Sequence, residues 1–255
     1  LAPTPESRFR RTLRGATFTG LRRRGKYLLF TLRPPGRRAP LTLLGHLGMI
    51  GRMYLAPAGQ PLPKHAAVVL NLGRENFVYE DTRYFGRFTL DAKALAKLGP
   101  EPLGSAFTPD SFALALRRSA QAIKVKLLDQ TVVAGLGNIY ASEALFRARI
   151  SPRSAAQKLT PKQIRRLCHA VRRVLAEAIE CGSTVPLNYG DRGQRDRHFY
   201  FGRAANAPDF YEERLRVYDR EDKPCRRCGA SIRRIVQAAR STFYCPCCQR
   251  GSGVS

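Results

Sequence analysis

"LLDQTVVAGLGNIYASEALF", Leu127 to Phe146, sets two closely spaced glycines between two apolar stretches of helical spacing. A helix is expected to end near Val133. Gly135 and Gly137 then let the backbone turn sharply and lie close to another group, because glycine carries no Cβ to forbid it. Asn138 opens the next helix, whose first N–H groups lack intrahelical partners. Glycines followed by a helix N-terminus make a site for an anion such as phosphate. An ordinary tight helix–helix turn has the same local pattern, and the local chemistry leaves both readings open.

Downstream, "CRRCGASIRRIVQAARSTFYCPCC" (Cys225–Cys248) places four cysteines as C-x2-C, sixteen residues, C-x2-C. Each C-x2-C turn aims two thiolates at one point, and four thiolates close a tetrahedral zinc shell with no position left for water. The expected ligands of this structural zinc are Cys225, Cys228, Cys245 and Cys248. "CPCC" offers Cys247 as an alternative, but only Cys248 keeps the two-residue spacing. The loop between the pairs carries Arg233, Arg234 and Arg240 and no acid. Cys168 and Cys181 fall in or at the end of a long helix and read as buried or inert thiols.

The charge says what such a loop touches. Lys and Arg number 45 against 19 Asp and Glu, a formal net charge of +26. An excess this large along a chain with 44% hydrophobic residues points to a folded protein with a polyanionic partner, nucleic acid first. No run of about 18 apolar residues is present to span a bilayer. "LAPTPESRFRR" lacks the apolar core of a signal peptide. Five of the seven cysteines crowd into the last 31 residues, which suits a reducing compartment and a metal site better than a disulfide framework.

The organisation is α+β. "KYLLFTL", "LTLLGHL", "AAVVLNL" and "FVYEDTRYFGRFTL" in the first hundred residues read as strands, with "GREN" at 73–76 as a hairpin turn. A β-rich domain is therefore expected over 1–98. The Pro- and Gly-rich stretch 99–110 reads as a linker. Helical periods follow over 111–214. One short helix is started by Thr108 and Pro109. The longest helix has Thr160 as N-cap and Ile164, Leu167, Val171, Val174, Leu175 and Ile179 on one apolar face. Residues 190–206 are polar and irregular, expected as a mobile loop, and 215–250 form the zinc module.

Nearly the whole chain resembles the formamidopyrimidine-DNA glycosylase family. "DQTVVAGLGNIYASEALF" is similar to its helix–two-turns–helix signature and "ARSTFYCPCCQ" to its zinc finger. "RRGKYLLF", "GHLGMIG" and "EDTRYFGRF" are similar to its N-terminal β-domain, in the family's order. The resemblance implies a β-sandwich-like domain, incomplete at its start, and a helical domain closed by a β-hairpin zinc finger. It implies a monomer of the bacterial cytoplasm that binds damaged double-stranded DNA, excises oxidised purines and nicks the strand by β- and δ-elimination.

What the resemblance implies for residues is equally specific. Lys26 stands where the family has a proton donor at the lesion. Met49 and Phe85 would be wedges that fill the space left by the flipped base, and Arg83 would hydrogen-bond its orphaned partner. From the residues alone, Met49 and Phe85 read as core. His65, Lys124 and Asn138 would contact phosphates. Ala120 stands where the family has a second basic residue, so that contact is unassigned. Arg240 would deliver a guanidinium from the pinned finger to the lesion phosphates and assist elimination, with Arg233 and Arg234 as lesser phosphate contacts or solvated charges.

The family works with an N-terminal proline amine as nucleophile, followed directly by a glutamate acid. This sequence begins with Leu1, and residues 1–25 resemble the stretch just before the lysine, so an incomplete start is expected. Pro5-Glu6 reads as a decoy, because the Pro5 nitrogen is an amide. The stretch between Glu6 and Lys26 also reads as too short for a helix and a strand. Rival readings are an endonuclease VIII-like enzyme for oxidised pyrimidines, a non-catalytic binder of damaged DNA, and a zinc-ribbon ribosomal or transcription protein. The last leaves Lys26 and the two-turn motif unexplained.

Overall fold

The structure, a computed structural model, describes residues 3–180, 199–200 and 215–250. The chain divides into two compact units that meet in sequence between Ala96 and Lys97.

The first unit opens with helix α1 (Glu6–Leu13) and continues through strands β1 (Thr17–Arg24), β2 (Tyr27–Arg33), β3 (Leu41–His46), β4 (Arg52–Pro57), β5 (Ala66–Asn71), β6 (Glu75–Glu80) and β7 (Arg87–Thr89). One sheet has the order β1-β2-β3-β7. The other is β5-β6-β4 extended by β8 (Phe199–Tyr200). Alternation along β2 points Leu28, Phe30 and Leu32 to one face, as a strand buried on one side requires. These residues, with Leu43 and Phe88, meet Met53, Phe77 and Tyr79 of the second sheet in one core. The expected sandwich is present. Phe9 of α1 is 3% exposed and packs edge-on to Phe88 at 5.8 Å.

The first unit departs from two expectations. The stretch between Glu6 and Lys26 does hold a helix and a strand, α1 and β1, each of eight residues. Residues 199–200, assigned from sequence to the helical domain, pair antiparallel with β4 as Tyr54↔Tyr200 and Leu55↔Phe199. The remainder of 190–206 lies outside the described residues, as does Cys181.

The second unit holds α2 (Pro109–Leu116), α3 (Ile123–Leu128), α4 (Asn138–Ala148), α5 (Pro161–Glu180) and the hairpin β9 (Arg233–Gln237) and β10 (Arg240–Tyr244). Both expected N-caps are made. The Thr108 side chain accepts from Ser111 N at 3.1 Å and Thr160 from Gln163 N at 3.3 Å, contacts that each stabilise a helix by about 1 kcal/mol. Leu127, Val133, Leu136, Leu145, Leu167 and Val171 centre the core. On α5, Ile164, Leu167, Val171 and Val174 are buried, but Ile179 is 54% exposed in the last turn. Residues 99–110, expected as a linker, pack against the helices of the second unit. Phe107 is fully buried, Gly99 N donates to Gln130 O at 2.8 Å, and Arg172 holds the carbonyls of Gly104 and Phe107. The segment is strapped to the helices because its backbone polar groups find partners there.

Candidate nucleic-acid interface and zinc centre

In the first unit, β1 and β2 are joined by a two-residue turn, Gly25–Lys26, with Arg24 paired to Tyr27. Gly25 has φ +57, a value glycine adopts without steric cost, and the Arg23 guanidinium braces its carbonyl at 2.8 Å. This turn presents Lys26 on the surface. On β3, opposite Tyr27, stands His46, a residue the sequence reading left unassigned although it lies inside "GHLGMIG". Burial, then the charges of Lys26 and Arg87, hold the imidazole below its ordinary pKa. Its Nδ1 accepts from Gly48 N at 3.0 Å. A neutral ring is therefore fixed with its proton on Nε2, a donor held beside the lysine.

Met49, Arg83 and Phe85 come together. An Arg83 guanidinium nitrogen lies 3.4 Å from the Met49 sulfur, and the guanidinium carbon is 4.7 Å from the centre of the Phe85 ring. Met49 is 62% and Phe85 57% exposed. Core placement, the reading from the residues alone, is thus overturned. Large apolar side chains held out in water beside a cation suit insertion between bases.

The support beneath them is stiff. Asp81 is 1% exposed and accepts from Arg83 N at 3.1 Å, Gly86 N at 2.7 Å and Tyr79 Oη at 3.2 Å. Burial and Asp81 push the Tyr79 phenol well above its ordinary pKa, so it stays a donor. A Cβ on Gly86 would lie 1.4 Å from Tyr79 Oη, and one on Gly48, at φ +68, would lie 2.7 Å from Gly86 N. The two loops touch through glycine. His65 precedes β5, and its carbonyl accepts from Asp81 N at 3.1 Å, which sets it against the same loop. Asp81 carried no signal in the sequence beyond its place before Arg83.

In the second unit, α3 ends at Leu128, five residues before the expected Val133. The two turns fill 129–137. Asp129 accepts from Thr131 N and from Lys126. Burial raises its pKa, and these contacts more than reverse that. Gln130 staples the turns, accepting from Gly135 N and donating to the carbonyls of Leu128 and Leu136. Gly135 has φ +83, whereas Gly137 is extended and caps α4 with no side-chain bond. The α4 N-terminus is left open for an anion.

Lys124 is fully buried. Its Nζ donates to Asn138 Oδ1 at 2.5 Å, and Asn138 Nδ2 donates to Ser241 O at 2.9 Å. Burial first, then Arg240, lower the Lys124 pKa to about 8. As the structure stands, Lys124 is a bracket that orients Asn138 instead of a surface charge. Arg240 is exposed at the start of β10, next to the Ala238–Ala239 turn. Arg234 is engaged within the zinc module, with Ser241 at 3.0 Å and Glu221 at 3.5 Å.

The sulfurs of Cys225, Cys228, Cys245 and Cys248 all lie within 4.8 Å of one another. Cys225 to Cys248 is 4.0 Å and Cys228 to Cys245 is 3.5 Å. A tetrahedral zinc at 2.3 Å from each sulfur sets them roughly 3.8 Å apart, so these four fit the metal. Cys247 is exposed and outside the cluster. Cys168 is buried, and burial pushes its thiol up to about 12, against the pull of Arg172. It is inert, as read.

One buried acid escaped the sequence reading. Glu143, 3% exposed on α4, accepts from the backbone N–H groups of Arg216, Val217 and Tyr218 at 2.9–3.0 Å. Its signal was an acid inside an otherwise apolar helical run. Gln249 makes a second tie, accepting from Cys245 N and donating to Ile150 O.

An open helix N-terminus, an arginine on a zinc-pinned hairpin and an exposed Met–Arg–Phe cluster define a DNA-binding protein of the helix–two-turns–helix class. Three family models match: formamidopyrimidine-DNA glycosylase N-terminal domain over residues 1–88, its H2TH domain over 98–187, and the zinc finger found in FPG and IleRS over 222–251. A formamidopyrimidine-DNA glycosylase of Desulfitobacterium hafniense is 42% identical over 252 residues, covering 96% of this chain and 86% of the relative. One of Symbiobacterium thermophilum is 42% identical over 255 residues, covering 97% and 77%. The Lactococcus lactis Fpg in complex with abasic-site DNA has a TM-score of 0.79 at 32% identity, over 96% of this chain and 86% of that one. The chain belongs to the formamidopyrimidine-DNA glycosylase family.

Proposed function

We propose that this chain acts in bacterial base-excision repair as a DNA glycosylase and abasic-site lyase for oxidised purines, in the cytoplasm and as a monomer. The observation that carries the reading is the cluster of Met49 and Phe85, exposed and each in contact with Arg83 on a glycine-locked base. Flipping a base out of the duplex costs a few kcal/mol of stacking. A rigid apolar wedge that enters the vacated space offsets this, and a guanidinium beside it can hydrogen-bond the base left behind. Relatives support the substrate class, since solved neighbours include a Lactococcus lactis variant bound to Fapy-dG DNA and MutM bound to carbocyclic 8-oxo-G DNA.

Each remaining residue has a role in that reading. Lys26, at the tip of a braced turn, supplies a proton during elimination. His46 donates from Nε2 and His65 lies beside the wedge loop, both suited to backbone phosphates. Asn138, oriented by Lys124, and the open turn of α4 hold a phosphate. Arg240 positions the strand and assists elimination. Zinc supplies no chemistry to the reaction, because its shell is closed.

The test is binding of the zinc-loaded chain to duplexes that carry formamidopyrimidine, 8-oxoguanine, an oxidised pyrimidine or no lesion. Preference for the purine lesions is expected. Equal affinity for all four would leave a general DNA binder. Preference for the pyrimidine would favour the endonuclease VIII-like alternative.

A further inference from the structure

The second unit carries a basic cavity that the lesion-binding residues do not use. Its volume is about 480 Å³, and six arginines line it: Arg165, Arg166 and Arg173 of α5, Arg147 of α4, Arg216, and Arg227 from the first cysteine knuckle. Among the described residues no acidic side chain lines it. Glu177 accepts from both Arg147 and Arg173, so one acid is shared by two of the six. Among the described residues Arg165, Arg166, Arg216 and Arg227 have no acidic partner. Arg147 Nε is buried and has no hydrogen-bond partner among the described residues.

The position is separate from the open end of α4. Asn138 begins that helix and Arg147 lies near its other end, about 13 Å along the axis. Arg227 sits between Cys225 and Cys228, at the opposite end of the zinc module from the Ala238–Ala239 turn and Arg240. Three of the guanidinium groups, those of Arg227, Arg147 and Arg173, are also held in place. Arg227 stacks on the buried Phe146 ring at 4.9 Å, Arg147 forks onto Glu177, and Glu143 fixes the backbone of Arg216. Pre-set cations that repel one another lower their energy by binding an anion with several negative groups in reach, and arginine forks match phosphate oxygens two at a time.

We propose that this cavity is a second anion site that takes closely spaced phosphates, distinct from the open end of α4 and from Arg240. Such phosphates come either from a free polyphosphate chain or from the backbone of a second nucleic-acid segment. The zinc-loaded full chain is titrated with inorganic tripolyphosphate by calorimetry, as wild type, as Arg165→Gln/Arg166→Gln, and as Arg117→Gln/Arg118→Gln. The last pair removes the same charge from exposed positions of this unit outside the cavity. In a second arm, each protein is saturated with a short lesion duplex and offered a labelled undamaged duplex. Equal melting temperatures establish that the variants are folded.

The expected result is binding at least tenfold weaker in the cavity variant and less than about threefold weaker in the control, with lesion-duplex affinity equal in the two. Loss in both arms assigns the site to nucleic acid, and loss with tripolyphosphate alone assigns it to a free chain. Equal weakening of the two variants in both arms overturns the proposal. Lesion-duplex preference is measured separately, so a failure here is distinguishable from a failure of the repair function.

Discussion

The Lys124 ammonium reaches Asn138 Oδ1 at 2.5 Å from a fully buried position. The contact makes the lysine an internal tie, and its pKa of about 8 has a measurable consequence. Below pH 8 folded and unfolded chains both hold the proton, and the cost of the buried charge is fully present. Between pH 8 and the ordinary lysine value of about 10.4, the unfolded chain holds more protons, so stability rises with pH. Lys124→Met removes that rise. Melting curves at pH 7.5, 9 and 10 should show wild type gaining on the variant with pH. A constant gap would show that the lysine titrates normally.

Zinc stoichiometry distinguishes the ligands from the bystander thiol. One zinc per chain is expected for wild type and for Cys247→Ser, because Cys247 lies outside the sulfur cluster. Cys228→Ser and Cys248→Ser should each lose the metal. Chelation should abolish DNA binding and leave the sandwich of the first unit folded, read by near-ultraviolet circular dichroism. Zinc retained in Cys248→Ser but lost in Cys247→Ser would exchange their roles.

Phe85→Ala should leave stability within about 0.5 kcal/mol of wild type, as at most exposed positions. It should still reduce the preference for abasic-site over intact duplex about tenfold, since a wedge offsets part of the few kcal/mol that opening the stack costs. Arg83→Ala should blunt discrimination among bases opposite the lesion. Competition binding with matched duplexes measures both. An unchanged preference in Phe85→Ala would remove it from the wedge.

Much of this was legible in residue order. Period-2 alternation along β2 and the Thr108 and Thr160 caps are local signals, and the cysteine spacing fixes a metal shell with little help from the rest of the chain. The clustering of Met49 with Arg83 came only through a family resemblance, because 34 residues separate them and no local rule joins them. The burial of Lys124 and the three-donor seat of Glu143 were not legible. Each depends on distant backbone, Ser241 in one case and Arg216–Tyr218 in the other. The helix α1 was hidden by its charge, since Phe9 is its one buried residue.

Gly86→Ala should be among the most damaging small substitutions in the first unit. The added Cβ would meet Tyr79 Oη at 1.4 Å and His46 O at 2.5 Å, and overpacking typically costs about 1–3 kcal/mol or more. Tyr79→Phe in the same chain removes the Oη contact but leaves the ring Cζ at 2.7 Å and His46 O at 2.5 Å, so rescue should be partial. Urea denaturation of wild type and the two variants checks this. A Gly86→Ala protein as stable as wild type would mean the wedge loops are not locked.

Helix α4 is fastened to the zinc module at three heights. Asn138 holds Ser241 at its start, Glu143 holds residues 216–218 at its middle, and just past its end Ile150 is tied to Gln249. One attachment allows rotation in every direction and two allow a hinge. Three spread attachments leave neither, so the hairpin is a rigid outrigger of the helix. Arg240 cannot search for a phosphate by bending the finger. It arrives only where the helix carries it, and a weakness at any one fastener turns an aimed guanidinium into a swinging one.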